Sequence, residues 1–165
     1  MIDLNSYANA QEFFEAVKEA SKDADRIAKI LQSLSAAEAV KAQRYTPRIT
    51  AGGNRDVMLA TDKRMDYEKR IRTRQSGDYE LIDAAGEVIY GAEQDGAGGV
   101  GVLLNDNAYA DLLWWRYCAA ASWPDTAAGC GKSEKWCQYS IKVAFDMIDS
   151  YGLERVKYGL GFAEE

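Results

Sequence analysis

The stretch Asn107 to Trp123, NAYADLLWWRYCAAASW, constrains the fold more than any other part of the chain. Between Ala108 and Trp123 only Asp111, Arg116 and Ser122 are strongly polar. A helix of these residues is apolar nearly all the way round, the pattern of a helix enclosed by its own protein. Asn105, Asp106 and Asn107 each offer a side-chain oxygen to the unpaired amides of a helix start, and Asp111 adds negative charge near the positive end of the dipole. Pro124 disfavours helical geometry at the residue before it, so the helix is expected to run from about residue 107 to Ser122. That is roughly 16 residues, about 24 Å of rise. A bilayer span needs about 20 apolar residues and would place Asp111 and Arg116 in hydrocarbon, so a buried central helix is expected instead. All four tryptophans fall between residues 114 and 136, which points to one aromatic core shared with the last helix.

Histidine is absent from all 165 residues. Histidine-dependent nucleophile pairs, proton shuttles and zinc sites are therefore excluded. The three cysteines, Cys118, Cys130 and Cys137, are odd in number and lack C-x-x-C spacing, so free thiols in a cytoplasmic protein are expected, with a Cys130–Cys137 bridge as the alternative, and no metal and no cofactor. The N-terminus MIDLNSYANA has neither a basic start nor a continuous apolar run, so no secretory leader is expected. A length of 165 residues suits one well-buried domain. The net charge of −6 argues against binding nucleic acid or anionic membrane through the surface as a whole.

Along the chain, Asn9 and Glu12 have the spacing of a capping box. They introduce Phe13, Val17, Ala20, Ala24, Ile27, Leu31 and Leu34, which recur in steps of four and three. This predicts an amphipathic helix of about 25 residues, with Ser21 to Asp23 the place where it would break. Its seam is expected to pack within the domain, with a homodimer through this N-terminal helix as the alternative. Ser35 and Glu38 suggest a second helix from about Ala36 to Arg44, ended by Thr46 and Pro47. From residue 46 to 104 the chain reads as β-rich, with AGGN at 51–54 as a turn. Candidate strands are Val57 to Thr61, Tyr67 to Gln75, Tyr79 to Asp83, Glu87 to Tyr90 and Val100 to Leu104, with Ala84, Ala85 and Gly86 as a hairpin loop. A final helix capped by Ser133 and closed by Gly152 is expected, followed by a short edge strand within Arg155 to Phe162. The expected fold is thus a single α+β domain: helices over 1–45, an antiparallel sheet of about four or five strands, and two C-terminal helices packed on it.

Four constellations could carry chemistry. In DGAGGVG, Gly96, Gly98 and Gly101 match G-x-G-x-x-G spacing, but they run into a predicted strand and not a helix. Gly96, Gly98 and Gly99 are better read as a mobile contact loop. Gly131, Lys132 and Ser133 resemble the end of a phosphate-binding loop, yet Thr126 stands where such a loop needs glycine; Lys132 at a helix start remains a candidate anion contact. Between Asp62 and Arg74 there are six basic and three acidic residues. On a strand, Arg70, Arg72 and Arg74 would form a ladder on one face, with Lys69 on the other; the run reads first as a solvated face paired to the chain's own acids, and otherwise as a site for phosphate, nucleic acid or an acidic protein surface. Asp146 and Asp149 are a helical turn apart and could pair in acid–base work or hold a metal, but their polar stripe reads as a solvated face.

These residues point first to a non-enzymatic, acidic interaction protein that binds a protein partner as an inhibitor or regulator. By analogy of size and charge alone, it fits the small acidic phage or mobile-element proteins that block host nucleases or defence complexes. The alternatives are a small nucleotide- or phosphate-binding domain or enzyme using Arg70, Arg72, Arg74 and Lys132, and nucleic-acid binding through the 63–74 basic strand.

Overall fold

The computed structural model describes residues 1–44 and 54–161, with side chains described except at 42, 44 and 54–61. The described residues are helical and contain no strand, which overturns the α+β expectation and its antiparallel sheet. After a short 3-10 turn at Leu4–Ser6 come α1 (Ala10–Arg44), α2 (Asn54–Tyr90), α3 (Val100–Leu103) and α4 (Asn107–Leu113). A single π turn, Trp114–Cys118, follows, and then α5 (Trp123–Cys130), α6 (Glu134–Tyr151) and α7 (Leu153–Tyr158).

The first four candidate strands and the hairpin loop all lie inside α2, a continuous helix of 37 residues. Val100 to Leu104 is α3 with its cap; the first half of the expected edge strand, 155–158, lies in α7, and its last residue, Phe162, lies outside the described residues. β-branched and aromatic residues favour strands only where a sheet exists to pack them. In α2 the buried positions Ala84, Ala85, Val88 and Ile89 fall at intervals of one, three and four, which is a helix face. Gly86 is simply a half-buried helical position next to the Trp114 ring.

α1 likewise runs unbroken for 35 residues through Ser21 to Asp23 and through the expected cap at Ser35. Its start keeps half of the predicted box: Asn9 Oδ1 accepts from the Glu12 N–H at 2.8 Å, while Glu12 Oε2 reaches one residue past the cap and accepts from the Ala8 N–H at 2.7 Å. The stop at Thr46–Pro47 and most of the AGGN turn lie outside the described residues.

The central stretch differs most from expectation. α4 begins at Asn107 with Asp106 Oδ1 accepting from the Ala108 N–H. The helix then widens: the Ala119 N–H donates to Trp114 O at 2.9 Å, the i→i+5 bond of a π turn. Ala120, with φ of 50°, reverses the chain. Pro124 does not end a helix but sits in the first turn of α5, where its missing N–H costs nothing, and Ser122 caps that helix. Trp114 and Trp115 are 36% and 40% exposed, so the expected shared tryptophan core does not form. The aromatic interior is Phe13, Phe14, Tyr117 and Phe145, with Phe14 5.5 Å from Tyr117 and 5.7 Å from Phe145.

Two compact units result, one of residues 1–22 with 78–165 and one of residues 23–77. In the larger, Phe13, Phe14 and Val17 of α1 join Val88 and Ile89 of α2, Leu112 and Leu113 of α4, and Ile148 of α6 in a single core. In the smaller, Arg74 donates to Asp23 and Arg64 pairs with Glu38, so the two helix segments run antiparallel. Ala24 and Ile27 are buried there, but the α2 positions that are half-buried, Arg64, Glu68, Ile71 and Gln75, are mostly polar. Among the described residues no helix is long and apolar enough to cross a membrane.

Candidate ligand cleft and charge distribution

Helical geometry dissolves the arginine ladder. Arg70 and Arg74 are one turn apart, while Arg72 lies about 200° around the helix from Arg70. Arg72 closes onto Glu68 of its own helix at 2.8 Å, and Arg74 is held by Asp23. Lys69 and Arg70 are exposed, with no ion-pair partner among the described residues. All four belong to the smaller unit, whereas Gly96, Gly98, Gly99 and Lys132 belong to the larger.

The glycine-rich segment is a packing point. A Cβ on Gly98 would lie 2.1 Å from Lys157 O, and one on Gly99, at φ of 104°, 2.7 Å from the Tyr90 carbonyl carbon. The Gly99 N–H donates to Val156 O at 2.7 Å, fastening this segment to α7. Only Gly96 faces open space. Gly101 lies in the four-residue α3, so no dinucleotide-binding helix start exists here. Lys132 is exposed between α5 and α6, its ammonium 5.4 Å from the Trp136 ring centre.

Asp149 has a structural partner, accepting from the Ala10 N–H at 2.7 Å, and Asp146 is exposed. Among the described residues no group of three or more Cys, Asp or Glu is placed to hold a metal. Cys118, Cys130 and Cys137 are free thiols. Burial pushes Cys118 up to about 12; burial and then the neighbouring Cys137 push Cys130 up to about 12.

A different place gathers cations. Within the larger unit, α1, the π turn, α5 and α6 enclose a cleft of about 570 Å³. Gln11 and Glu15 of α1 line one wall and Lys135, Gln138 and Lys142 of α6 the other; Tyr117, Phe145 and Ile141 form the apolar floor. Arg116 stands on the π turn with its guanidinium 4.1 Å from the Trp123 ring centre, a cation–π contact, and its Nη1 donates to Ala121 O at 2.9 Å. This bond ties the cation to the chain reversal at Ala120. Lys18 lies close behind: burial, and then the Arg116 charge, lower its pKa from the usual lysine value. Burial and then the Glu15 charge push the Tyr117 phenol up to about 12, keeping it a neutral donor.

Arg116, Lys135 and Lys142 form no ion pair among the described residues, although the surrounding unit is strongly acidic. Residues 1–22 with 78–165 hold eight Lys and Arg against nineteen Asp and Glu, a net of −11; residues 23–77 hold twelve against seven, a net of +5. None of the cleft residues is among the site candidates expected from sequence. The available signal was Arg116, the one cation inside the apolar central stretch, together with the heptad-spaced pair Lys135 and Lys142. Comparison with protein-family models, with curated proteins and with solved structures returned no match to this chain.

Proposed function

We propose that the protein is a non-enzymatic interaction protein, an inhibitor or regulator whose acidic larger unit occupies a basic surface on a partner protein. The observation that carries this reading is the charge separation between the two units. Nineteen acidic residues stand on the larger unit, and among its eight cations Arg116, Lys135 and Lys142 line one cleft while Lys22 and Lys157 are paired with Glu19 and Glu87. An acidic surface of this kind steers association with a basic protein and rejects acidic ones. Glu80 and Asp83 of α2, with Glu93 just beyond it, are exposed acids that can be neutralised without touching the core. The test is affinity isolation from the native host at low salt with wild-type protein and with E80Q/D83N/E93Q. A stoichiometric basic protein retained by the wild type and weakened by the variant is expected. Absence of any stoichiometric protein, or retention unchanged by neutralisation, overturns the reading.

The smaller unit supports a second reading, affinity for nucleic acid. Lys69 and Arg70 are exposed without acidic partners among the described residues, in a segment of net charge +5. Binding of this kind weakens steeply with salt. Titration of labelled duplex DNA and RNA into wild type and K69A/R70A checks it: salt-independent binding, or equal binding by the variant, removes this reading.

A further inference from the structure

We propose that the cleft between α1, the π turn, α5 and α6 binds a small phosphorylated compound carrying a planar ring, of the size of a nucleoside diphosphate. This goes beyond occupation of a partner protein, and its test leaves untouched Glu80, Asp83 and Glu93, the acids that probe that reading.

Three observations converge. First, Arg116, Lys135 and Lys142 line the cleft against a single lining acid, Glu15, although the unit around them carries more than twice as many acids as cations. Cations that line one cleft without ion-pair partners among the described residues leave their charge available to an anion seated there. Lys135 and Lys142 are seven residues, about 10 Å, apart along α6. Two cations at that spacing suit an extended anion such as a chain of phosphates, each ammonium meeting its own phosphoryl oxygens. Of the guanidinium's five N–H donors, one is used on Ala121 O, so a planar fork remains for a phosphoryl oxygen pair.

Second, the cleft is amphipathic in the way small-molecule sites are. Its floor is the buried Tyr117, Ile141 and Phe145, and its rim holds Trp123 and the 70% exposed Tyr139. At about 570 Å³ it falls within the range of roughly 300–1,000 Å³ typical of such sites. Arg116 lies over the Trp123 ring, and the exposed Tyr139 ring is left as a surface for a planar group.

Third, the backbone that presents Arg116 is irregular. A π turn carries it, and the non-glycine Ala120 takes φ of 50° immediately after. π turns and left-handed non-glycine residues are costly and concentrate at binding and catalytic sites. Here they place one cation of the central stretch at the mouth of the cleft.

Calorimetric titration of the full chain with ADP, adenosine and inorganic pyrophosphate tests this, using wild type, K135Q/K142Q and Y139A. Lys135, Lys142 and Tyr139 are exposed, so these variants are expected to keep the wild-type melting temperature. ADP is expected to bind the wild type and to lose roughly tenfold or more in affinity in K135Q/K142Q, where the charge-assisted bonds to phosphate are gone. Y139A is expected to weaken ADP but not pyrophosphate, and adenosine to bind more weakly than ADP. No heat with either ADP or pyrophosphate at millimolar concentration overturns the proposal, as does undiminished ADP binding by K135Q/K142Q. Pyrophosphate binding as tightly as ADP overturns the planar-ring part. None of these readouts depends on a protein partner, so failure here is distinguishable from failure of the interaction reading.

Discussion

The Asp149 carboxylate on α6 accepts a hydrogen bond from the backbone N–H of Ala10, 2.7 Å away, and so helps close the first turn of a helix that starts 139 residues earlier. Ala10 is buried, and its amide is one of the four that a helix start leaves without an intrahelical partner. Negative charge at this end also complements the dipole of α1. Asp149→Ala is therefore expected to destabilise the protein by about 1–2 kcal/mol, with Asp149→Asn retaining part of the loss. Urea unfolding followed by circular dichroism reads both; an alanine variant with an unchanged midpoint would show that water replaces the cap.

The three glycines of the 96–99 segment should respond unequally to alanine. Gly98→Ala places a methyl 2.1 Å from Lys157 O, a backbone atom that cannot swing away. A cost of about 3 kcal/mol or more, or failure to fold, is expected. Gly96 has φ of 71° and open space around it, so Gly96→Ala meets only the left-handed backbone penalty of roughly 1–2 kcal/mol. Thermal melts of the two variants in parallel give the comparison; equal losses would mean that the segment is not fastened to α7.

Where residue chemistry acts locally, the sequence was readable. The Asn9–Glu12 box, the start of α4 at Asp106–Asn107 and the Ser133 cap of α6 each depend on a side chain within three or four residues of the amide it serves. α2 was not readable because its facing positions in the smaller unit, Arg64, Glu68 and Gln75, are polar, so the periodicity that marks a helix is missing there. Tyr79, Val88, Ile89 and Tyr90 then dominate as β-formers, and packing against α1, α4 and α7 overrides that preference. The cleft was hidden for another reason: Glu15, Arg116, Trp123 and Lys142 lie in four elements, and only tertiary packing brings them together.

Alkaline pH should unfold the protein earlier than neutral pH, through its buried thiols and phenol. Burial raises Cys118 from 9.0 to about 12, and burial with the Glu15 charge raises Tyr117 from 10.0 to about 12. A raised pKa means that the folded state holds its proton while the unfolded state releases it. The associated stability is thus fully present below about pH 9 and is lost as pH rises towards about 12. Melting temperature is expected to fall across that window, and to fall less steeply in Cys118→Ala, whose small side chain removes one of the titrating groups. A pH profile unchanged in slope by Cys118→Ala would exclude this thiol as a contributor.

The two units should differ in how readily their backbones open. In the smaller, Ala24 and Ile27 are the buried residues among those described, and the ion pairs that join its two helix segments, Arg74 with Asp23 and Arg64 with Glu38, are partly solvated. Such pairs contribute about 0–1 kcal/mol each. Met65 and Tyr67 are 60% and 55% exposed, so much of the apolar surface there stays in water. The larger unit instead buries Phe13, Phe14, Ile89, Leu112, Leu113 and Ile148 almost completely. Local opening follows the density of buried apolar contact. Hydrogen–deuterium exchange by mass spectrometry is therefore expected to label peptides from 25–41 and 62–76 well before those from 84–90 and 137–148. Sequential labelling inside the continuous helices α1 and α2 would place the boundary of cooperativity near residues 23 and 77, whereas uniform protection along both helices would mean that they open only with the whole protein.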